Sequence, residues 1–111
     1  MAADIAPNLE IIAEIANAHQ GDPSQAWELA QAVALSADAI KFQIYFAEEL
    51  LVERHPRFDH FKKQAFTKDQ WHELIKKTKA LDVKVYVDVF GLTALSIAKA
   101  VSYTHLTLPT R

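Results

Sequence analysis

The chain has 111 residues, of which 50% are apolar and 23% are charged, a composition typical of one globular domain. Its net charge of -2 gives no general attraction for nucleic acid or for an anionic membrane. The absence of cysteine excludes disulfides, thiolate metal sites and a cysteine nucleophile. Because no apolar run approaches the ~20 residues that cross a bilayer, and no signal-peptide pattern is present, we expect a cytoplasmic protein.

The first part of the chain predicts a strand, a helix and a second strand. Residues 9–15 are a short apolar run between polar segments, which favours a buried strand. Asp22 is a suitable N-cap, and Gln25 completes a capping-box-like pair at the start of a helix. That helix has one apolar face, formed by Ala26, Leu29, Ala30, Val33 and Ala34. Residues 38–44 predict the second strand.

The middle of the chain has a weaker pattern. Residues 45–66 contain a proline and several aromatic residues without a clean period, so we predict a long loop with room for one helical turn near 46–52. Thr67 and Gln70 then form a capping box, which predicts the start of a second long helix. Its inner face consists of Trp71, Leu74, Ile75, Thr78 and Leu81.

The third strand is predicted over residues 83–90, where valines occupy every odd position. Gly91 ends this strand, and residues 92–100 predict a third helix. Alternating strands and helices of this length indicate βαβ units and a parallel sheet. Because three such units leave a sheet edge open, we expect the chain to be the front part of a larger α/β domain.

The segment VSYTHLTLPTR, residues 101–111, continues neither the strand period nor the helix period. It resembles the translation of a transposase-type sequencing adapter. We therefore predict that residues 1–100 form the domain and that residues 101–111 are a non-native tail. The alternative is a natural C-terminal tail.

Four polar side chains fall on one face of the predicted sheet. Alternate residues of a strand share a face, so Glu14, Lys41, Gln43 and Asp88 converge if the isoleucines and valines pack against the helices. A buried lysine costs several kcal/mol unless it is paired, so its position requires an anionic partner. For Lys41 this partner is either Glu14 or Asp88 in a structural ion pair, or an anionic substrate such as a phosphate or carboxylate.

The histidines show no metal-binding pattern. His19, His55, His60 and His72 lack HxxxH-type spacing with carboxylates, so we predict no metal ligand in this chain. His55 and His60 are interpreted as solvated loop residues.

Two motifs resemble the N-acetylneuraminate (sialic acid) synthase family. They are IIAEIANAHQGD, residues 11–22, and ADAIKFQIYFAEELLV, residues 37–52. The resemblance implies an α/β fold that is a partial (β/α)8 TIM barrel, made of its first three βα units. It also implies condensation of phosphoenolpyruvate with an N-acyl amino sugar, such as N-acetylmannosamine, to form a sialic acid and phosphate.

The resemblance also implies roles for the four polar residues. Glu14 matches a catalytic glutamate that contacts the sugar, Lys41 a lysine that binds phosphoenolpyruvate, and Gln43 a substrate-contacting glutamine. Asp88 takes the position of a substrate-binding threonine, where a carboxylate repels phosphate unless a cation compensates or the substrate is a different one.

For the full-length parent, the family implies a homodimer and a Mn²⁺ or Mg²⁺ ion, held by later strands. The isolated fragment is then expected to be inactive. Two alternatives stay open at this point. One is a non-catalytic sugar-binding or spore-coat polysaccharide assembly protein of the same fold, and the other is a small independent α/β domain.

Overall fold

A computed structural model describes residues 9–101 and the backbone of residues 105–107. The four strands are β1 (Ile12–Glu14), β2 (Ala39–Tyr45), β3 (Lys84–Phe90) and β4 (His105–Thr107). The five helices are α1 (Pro23–Ala34), α2 (Ala47–Leu50), α3 (Phe58–Gln64), α4 (Lys68–Lys79) and α5 (Leu92–Ala100). All strand pairs are parallel and follow the order β1-β2-β3-β4. The predicted alternation of strands and helices is therefore confirmed.

The core lies between one face of the sheet and the long helices. The alternate residues Ile40, Phe42 and Ile44 of β2 are each at most 1% exposed, and they lie beside the buried valines of β3. Helix α4 packs Trp71, Leu74 and Ile75 into the same cluster. Burying one such side chain contributes about 1.5–3 kcal/mol, so this face holds the unit together.

The opposite face of the sheet, called the open face below, is not covered by the long helices that pack on the core, although Tyr45 at its carboxyl end packs on Phe61 of α3. Strand β1 was predicted to be buried, and this prediction is wrong. β1 has only three residues, and Ile12 on the open face is 43% exposed. No helix among the described residues has the length and apolar character needed to cross a membrane.

The predicted helix starts are confirmed, with one correction. The Asp22 side chain accepts a hydrogen bond from the Ser24 backbone N–H, as an N-cap does. Gln25 does not complete a capping box, because its side chain donates to the Ala18 carbonyl instead. At α4 both halves of the predicted capping box between Thr67 and Gln70 are present.

Two elements were not predicted. Within the predicted loop 45–66, the expected helical turn is α2, but helix α3 was missed. The α3 sequence has no apolar stripe from which a helix could be predicted, and only one α3 residue, Phe58, is buried. Strand β4 was missed as well, and it pairs with β3 from Tyr86 to Asp88. The predicted tail, residues 101–111, otherwise lies outside the described residues apart from Val101.

Candidate functional site

The open face gathers polar side chains because its residues alternate with the core residues of the same strands. On β2 these are Lys41 and Gln43, and on β3 they are Lys84, Tyr86 and Asp88. The register places Glu14 beside Lys41 and Gln43 beside Asp88. The predicted convergence of the four site residues on one face is therefore confirmed, whereas their roles stay predictions.

We call Glu14, Lys41, Gln43 and Asp88 the carboxyl-end cluster. The Lys41 Nζ lies 3.3 Å from Asp88 Oδ2 and 3.7 Å from Glu14 Oε1. The Gln43 Nε2 donates to Glu14 Oε2 at 3.0 Å. Lys41 of β2 thus bridges carboxylates of β1 and β3, the strands on either side of β2, and Gln43 fixes the orientation of the Glu14 carboxylate.

The charges in this cluster do not balance, because one lysine faces two carboxylates. The Lys41 side chain is 25% exposed and Asp88 only 14%, so their pair is better shielded than a surface ion pair. Glu14 is 45% exposed and stays accessible from the open face. The cluster can therefore present a carboxylate to a ligand hydroxyl, and it has a cation within reach of a ligand anion.

A second group, the amino-end cluster, consists of Glu10, Lys84 and Tyr86. The Tyr86 hydroxyl donates to Glu10 at 2.7 Å, and the Lys84 Nζ lies 3.3 Å from the same carboxylate. The hydrogen bond from Tyr86 lowers the pKa of Glu10 and raises the pKa of Tyr86, and Lys84 lowers the Glu10 pKa further. The sequence analysis did not predict the contact between these residues.

The turn after β1 carries the histidine of the first motif. His19 is 1% exposed, its Nδ1 accepts the Gly21 N–H at 2.9 Å, and its ring packs on Phe66 at 4.3 Å between centroids. Burial lowers the pKa of His19. Gly21 has φ +81°, and a Cβ there would lie 2.5 Å from the Lys63 carbonyl oxygen, so glycine is required. His19 therefore orders the turn that follows Glu14.

A cavity of about 200 Å³ adjoins the carboxyl-end cluster, because Gln43 belongs to the cluster and also lines the cavity. Its other lining residues are Asn17, Tyr45, Leu50, Phe61 and Phe90. Sequence reasoning missed this cavity because Phe61 belongs to the unpredicted helix α3. Asn17 lies in an irregular turn, where no period marks it.

Metal ligands are not grouped in the described chain. Among residues 9–101, no three histidine or acidic side chains lie close enough together to hold a metal ion. These residues do not fit the Mn²⁺ or Mg²⁺ ion implied by the resemblance.

No protein-family model matches the chain, and no curated protein matches it in sequence. Among solved structures, it is similar to the N-acetylneuraminic acid (sialic acid) synthetase of Leptospira borgpetersenii serovar Hardjo-bovis, in complex with citrate. The TM-score is 0.80 at 26% identity, over 91% of this chain and 36% of that one. The fold is that of the first βα units of a sialic acid synthetase.

Two spore coat polysaccharide biosynthesis proteins share this fold. Protein E of Chromobacterium violaceum has a TM-score of 0.73 at 18% identity, over 88% of this chain and 33% of that one. The SpsE protein of Bacillus subtilis has a TM-score of 0.67 at 21% identity, over 91% and 30%. The chain thus spans about a third of the length of these neighbours, which agrees with the fold expected of a partial barrel.

Proposed function

We propose that residues 1–100 are the first three βα units of a longer synthase that condenses phosphoenolpyruvate with an N-acyl amino sugar. At the coarser level, the structural neighbours support a role in sugar biosynthesis. The observation that carries the finer proposal is the position of Lys41 between Glu14 and Asp88 on the open face. In a closed barrel this face points to the interior, where barrel enzymes bind their substrates at the carboxyl ends of the strands.

Each side chain of the cluster has a role that its chemistry allows. The Lys41 ammonium group offsets charge on the phosphate or carboxylate of phosphoenolpyruvate. The Glu14 carboxylate accepts hydrogen bonds from sugar hydroxyls and is placed to take a proton. Gln43 holds Glu14 through its Nε2 hydrogen bond and so acts as a positioning residue.

Asp88 sets a condition on this proposal. Phosphoenolpyruvate is an anion, and the cluster already holds two carboxylates against one lysine. We expect the strands that complete the barrel to supply further cations. The same strands would supply the Mn²⁺ or Mg²⁺ site, and a homodimer of the full-length protein belongs to the same proposal. The Leptospira protein, whose structure contains citrate, binds a small polyanion.

The test is release of phosphate from phosphoenolpyruvate by the full-length protein, with and without N-acetylmannosamine. We expect release that depends on the sugar, together with formation of a sialic acid. The 111-residue chain is the matched control and should release none, because it lacks most of the barrel. Phosphate release without the sugar, or its absence from the full-length protein, would contradict the proposal.

The alternative function is a non-catalytic sugar-binding or polysaccharide assembly protein, and Asp88 is the observation that favours it. On that hypothesis the full-length protein binds the sugar but does not bind phosphoenolpyruvate. Calorimetric titration with each compound separately distinguishes the two functions.

A further inference from the structure

The pairing of β2 with β3 ends just beyond the residues of the carboxyl-end cluster. Its last pair is Tyr45 with Phe90, two residues after the pair of Gln43 with Asp88. Beyond this point one connection enters α2, and the other passes through Gly91 into α5. The hydrogen bonds of the sheet therefore no longer fix the distance between these two connections.

A side chain of α2 continues the link between them. Glu49 Oε2 accepts the Thr93 backbone N–H at 3.1 Å and the Thr93 hydroxyl at 3.0 Å, and Glu49 Oε1 lies 3.2 Å from the same nitrogen. A carboxylate at this place satisfies an N–H of the first helical turn and offsets the positive end of the helix dipole. Helix α5 has no capping side chain of its own, because its N-cap residue is Gly91. Glu49 supplies the missing cap from another element.

Gly91 makes room for this contact. Its φ of +126° is a backbone conformation that residues with a Cβ rarely adopt. A Cβ at this position would also lie 2.5 Å from Glu49 Oε1 and 2.9 Å from the Glu49 Cβ. Any other residue would displace both the end and the base of the Glu49 side chain, so the contact requires glycine here.

The contact lies beside the candidate site. Leu50 follows Glu49 on α2, and Phe90 is the last residue of β3. Both line the cavity that Gln43 shares with the carboxyl-end cluster. Through its Nε2 hydrogen bond, Gln43 orients Glu14. A change in the distance between α2 and α5 would therefore reach the cluster through the cavity wall.

We propose that Glu49 is a positioning residue of the candidate site. By holding α2 against the start of α5, its carboxylate keeps the cavity wall and Gln43 in the arrangement that orients Glu14. Glu49 acts through Gln43 rather than on the substrate. Enzyme reactions are sensitive to displacements of about 1 Å in the groups that position a substrate, so the loss of this contact should lower the rate. The inference rests on the proposed function for the reaction in which that rate is measured.

The first test needs no ligand. The side-chain amide signals of Gln43 and the hydrogen exchange of the Thr93 amide are measured by NMR in the 111-residue chain and in Glu49→Ala. We expect the Thr93 amide to exchange about tenfold faster, the effect of losing one hydrogen bond. The Gln43 signals should shift because the cavity wall moves. The amides of β2 should exchange as before, which excludes a general loss of stability.

Glu48→Ala is the matched control for this test. Glu48 is the preceding residue of α2, and its carboxylate pairs with Lys62 of α3. Its removal should leave the Gln43 signals and the Thr93 exchange as in the parent chain. Unchanged Gln43 signals in Glu49→Ala, or equal shifts in Glu48→Ala, would overturn the inference.

Kinetics of the full-length protein separate positioning from a purely structural role. Glu49→Ala should lower kcat for phosphate release about tenfold, with KM for phosphoenolpyruvate within about twofold and the unfolding midpoint unchanged. Glu49→Gln keeps an acceptor for the Thr93 N–H and should restore most of kcat. A lower unfolding midpoint without a fall in kcat, or equal kcat losses in the two variants, would overturn the positioning role.

The failure of this inference is distinct from the failure of the proposed function. If the full-length protein releases no phosphate, the synthase proposal fails, and the Gln43 and Thr93 signals of the 111-residue chain still decide whether Glu49 positions the cluster. If phosphate release depends on the sugar and is the same in Glu49→Ala as in the parent, the synthase proposal stands and the positioning role fails.

Discussion

At the carboxyl end of the open face a lysine lies between two carboxylates, whereas at the amino end a carboxylate lies between a lysine and a tyrosine hydroxyl. In the amino-end cluster, Tyr86 and Lys84 both serve Glu10, and the carboxylate is matched by a cation and a donor. In the carboxyl-end cluster, Lys41 is shared and negative charge is in excess.

The difference teaches how to separate a structural cluster from a candidate site on the same strands. Both clusters combine acidic and basic residues at alternate strand positions, so the pattern alone does not distinguish them. Position does, because the carboxyl-end cluster adjoins a cavity and the connections that follow the strands.

The largest expected effect comes from removing the two lysines in turn. In the full-length protein, Lys41→Ala should lower kcat/KM for phosphoenolpyruvate about 100-fold, because truncating one partner of a partly buried charge contact costs about 2–5 kcal/mol. Steady-state phosphate release measures it. The matched control is Lys84→Ala, which removes the lysine of the amino-end cluster and should leave kcat/KM within about twofold. Equal losses in the two variants would erase the proposed distinction.

The next effect concerns the excess negative charge. Asp88→Asn keeps the shape of the side chain and removes one carboxylate from the carboxyl-end cluster. We expect KM for phosphoenolpyruvate to fall about tenfold, since like charges at this range repel by ~1–2 kcal/mol in a partly shielded site. Asp69→Asn, on the exposed start of α4, is the control and should not change KM. A higher KM in Asp88→Asn would mean that this carboxylate holds Lys41 in its working position.

Sequence patterns predicted most of the fold because local signals and burial agree there. The alternating valines predict strand β3, and the capping box at Thr67 predicts the start of α4. Both features are present in the structure. The shared face of Glu14, Lys41, Gln43 and Asp88 followed from the two-residue period alone.

What could not be predicted depends on contacts distant in sequence. Helix α3 has no apolar stripe, and it is held partly by the Glu48 to Lys62 pair and the Tyr45 hydroxyl. The Glu10 to Tyr86 hydrogen bond joins residues that are 76 positions apart, and only strand register brings them together. The burial of the Asn17 side-chain oxygen could not be predicted either, because a turn sequence does not show which of its atoms are buried.

The turn after β1 and the amino-end cluster should also lose their contributions to folding stability over different pH ranges. Burial lowers the pKa of His19, so the unfolded chain binds the proton at higher pH than the folded chain. Stability is full above the unfolded value near 6.5 and falls as the pH drops toward the folded value, by up to about 1 kcal/mol per pH unit. Urea unfolding of the 111-residue chain at pH 7.5 and 5.5 measures this loss.

Two variants show whether the loss of stability at low pH comes from the burial of His19 or from its hydrogen bond. His19→Asn retains an acceptor for the Gly21 N–H but does not titrate, so its stability should change less between the two pH values. His55→Asn is the matched control, because His55 Nδ1 accepts the Arg57 N–H in the same local geometry while exposed. The control should keep the pH dependence of the parent chain, and a flat profile for the parent would refute the role given to burial.

The smallest effect is expected at the amino-end cluster. The Tyr86 hydrogen bond lowers the pKa of Glu10 below its usual 4.5, so its stabilisation is present above that pH and is lost as the pH falls through the folded value. Tyr86→Phe should therefore reduce the acid loss of stability below pH 4.5, while phosphate release by the full-length protein stays unchanged. Tyr45→Phe is the control, since its hydroxyl donates to a backbone carbonyl and its loss should not alter the acid profile. If Tyr86→Phe impaired catalysis while leaving the acid profile intact, the amino-end cluster would belong to the site, and the division between the two ends would fail.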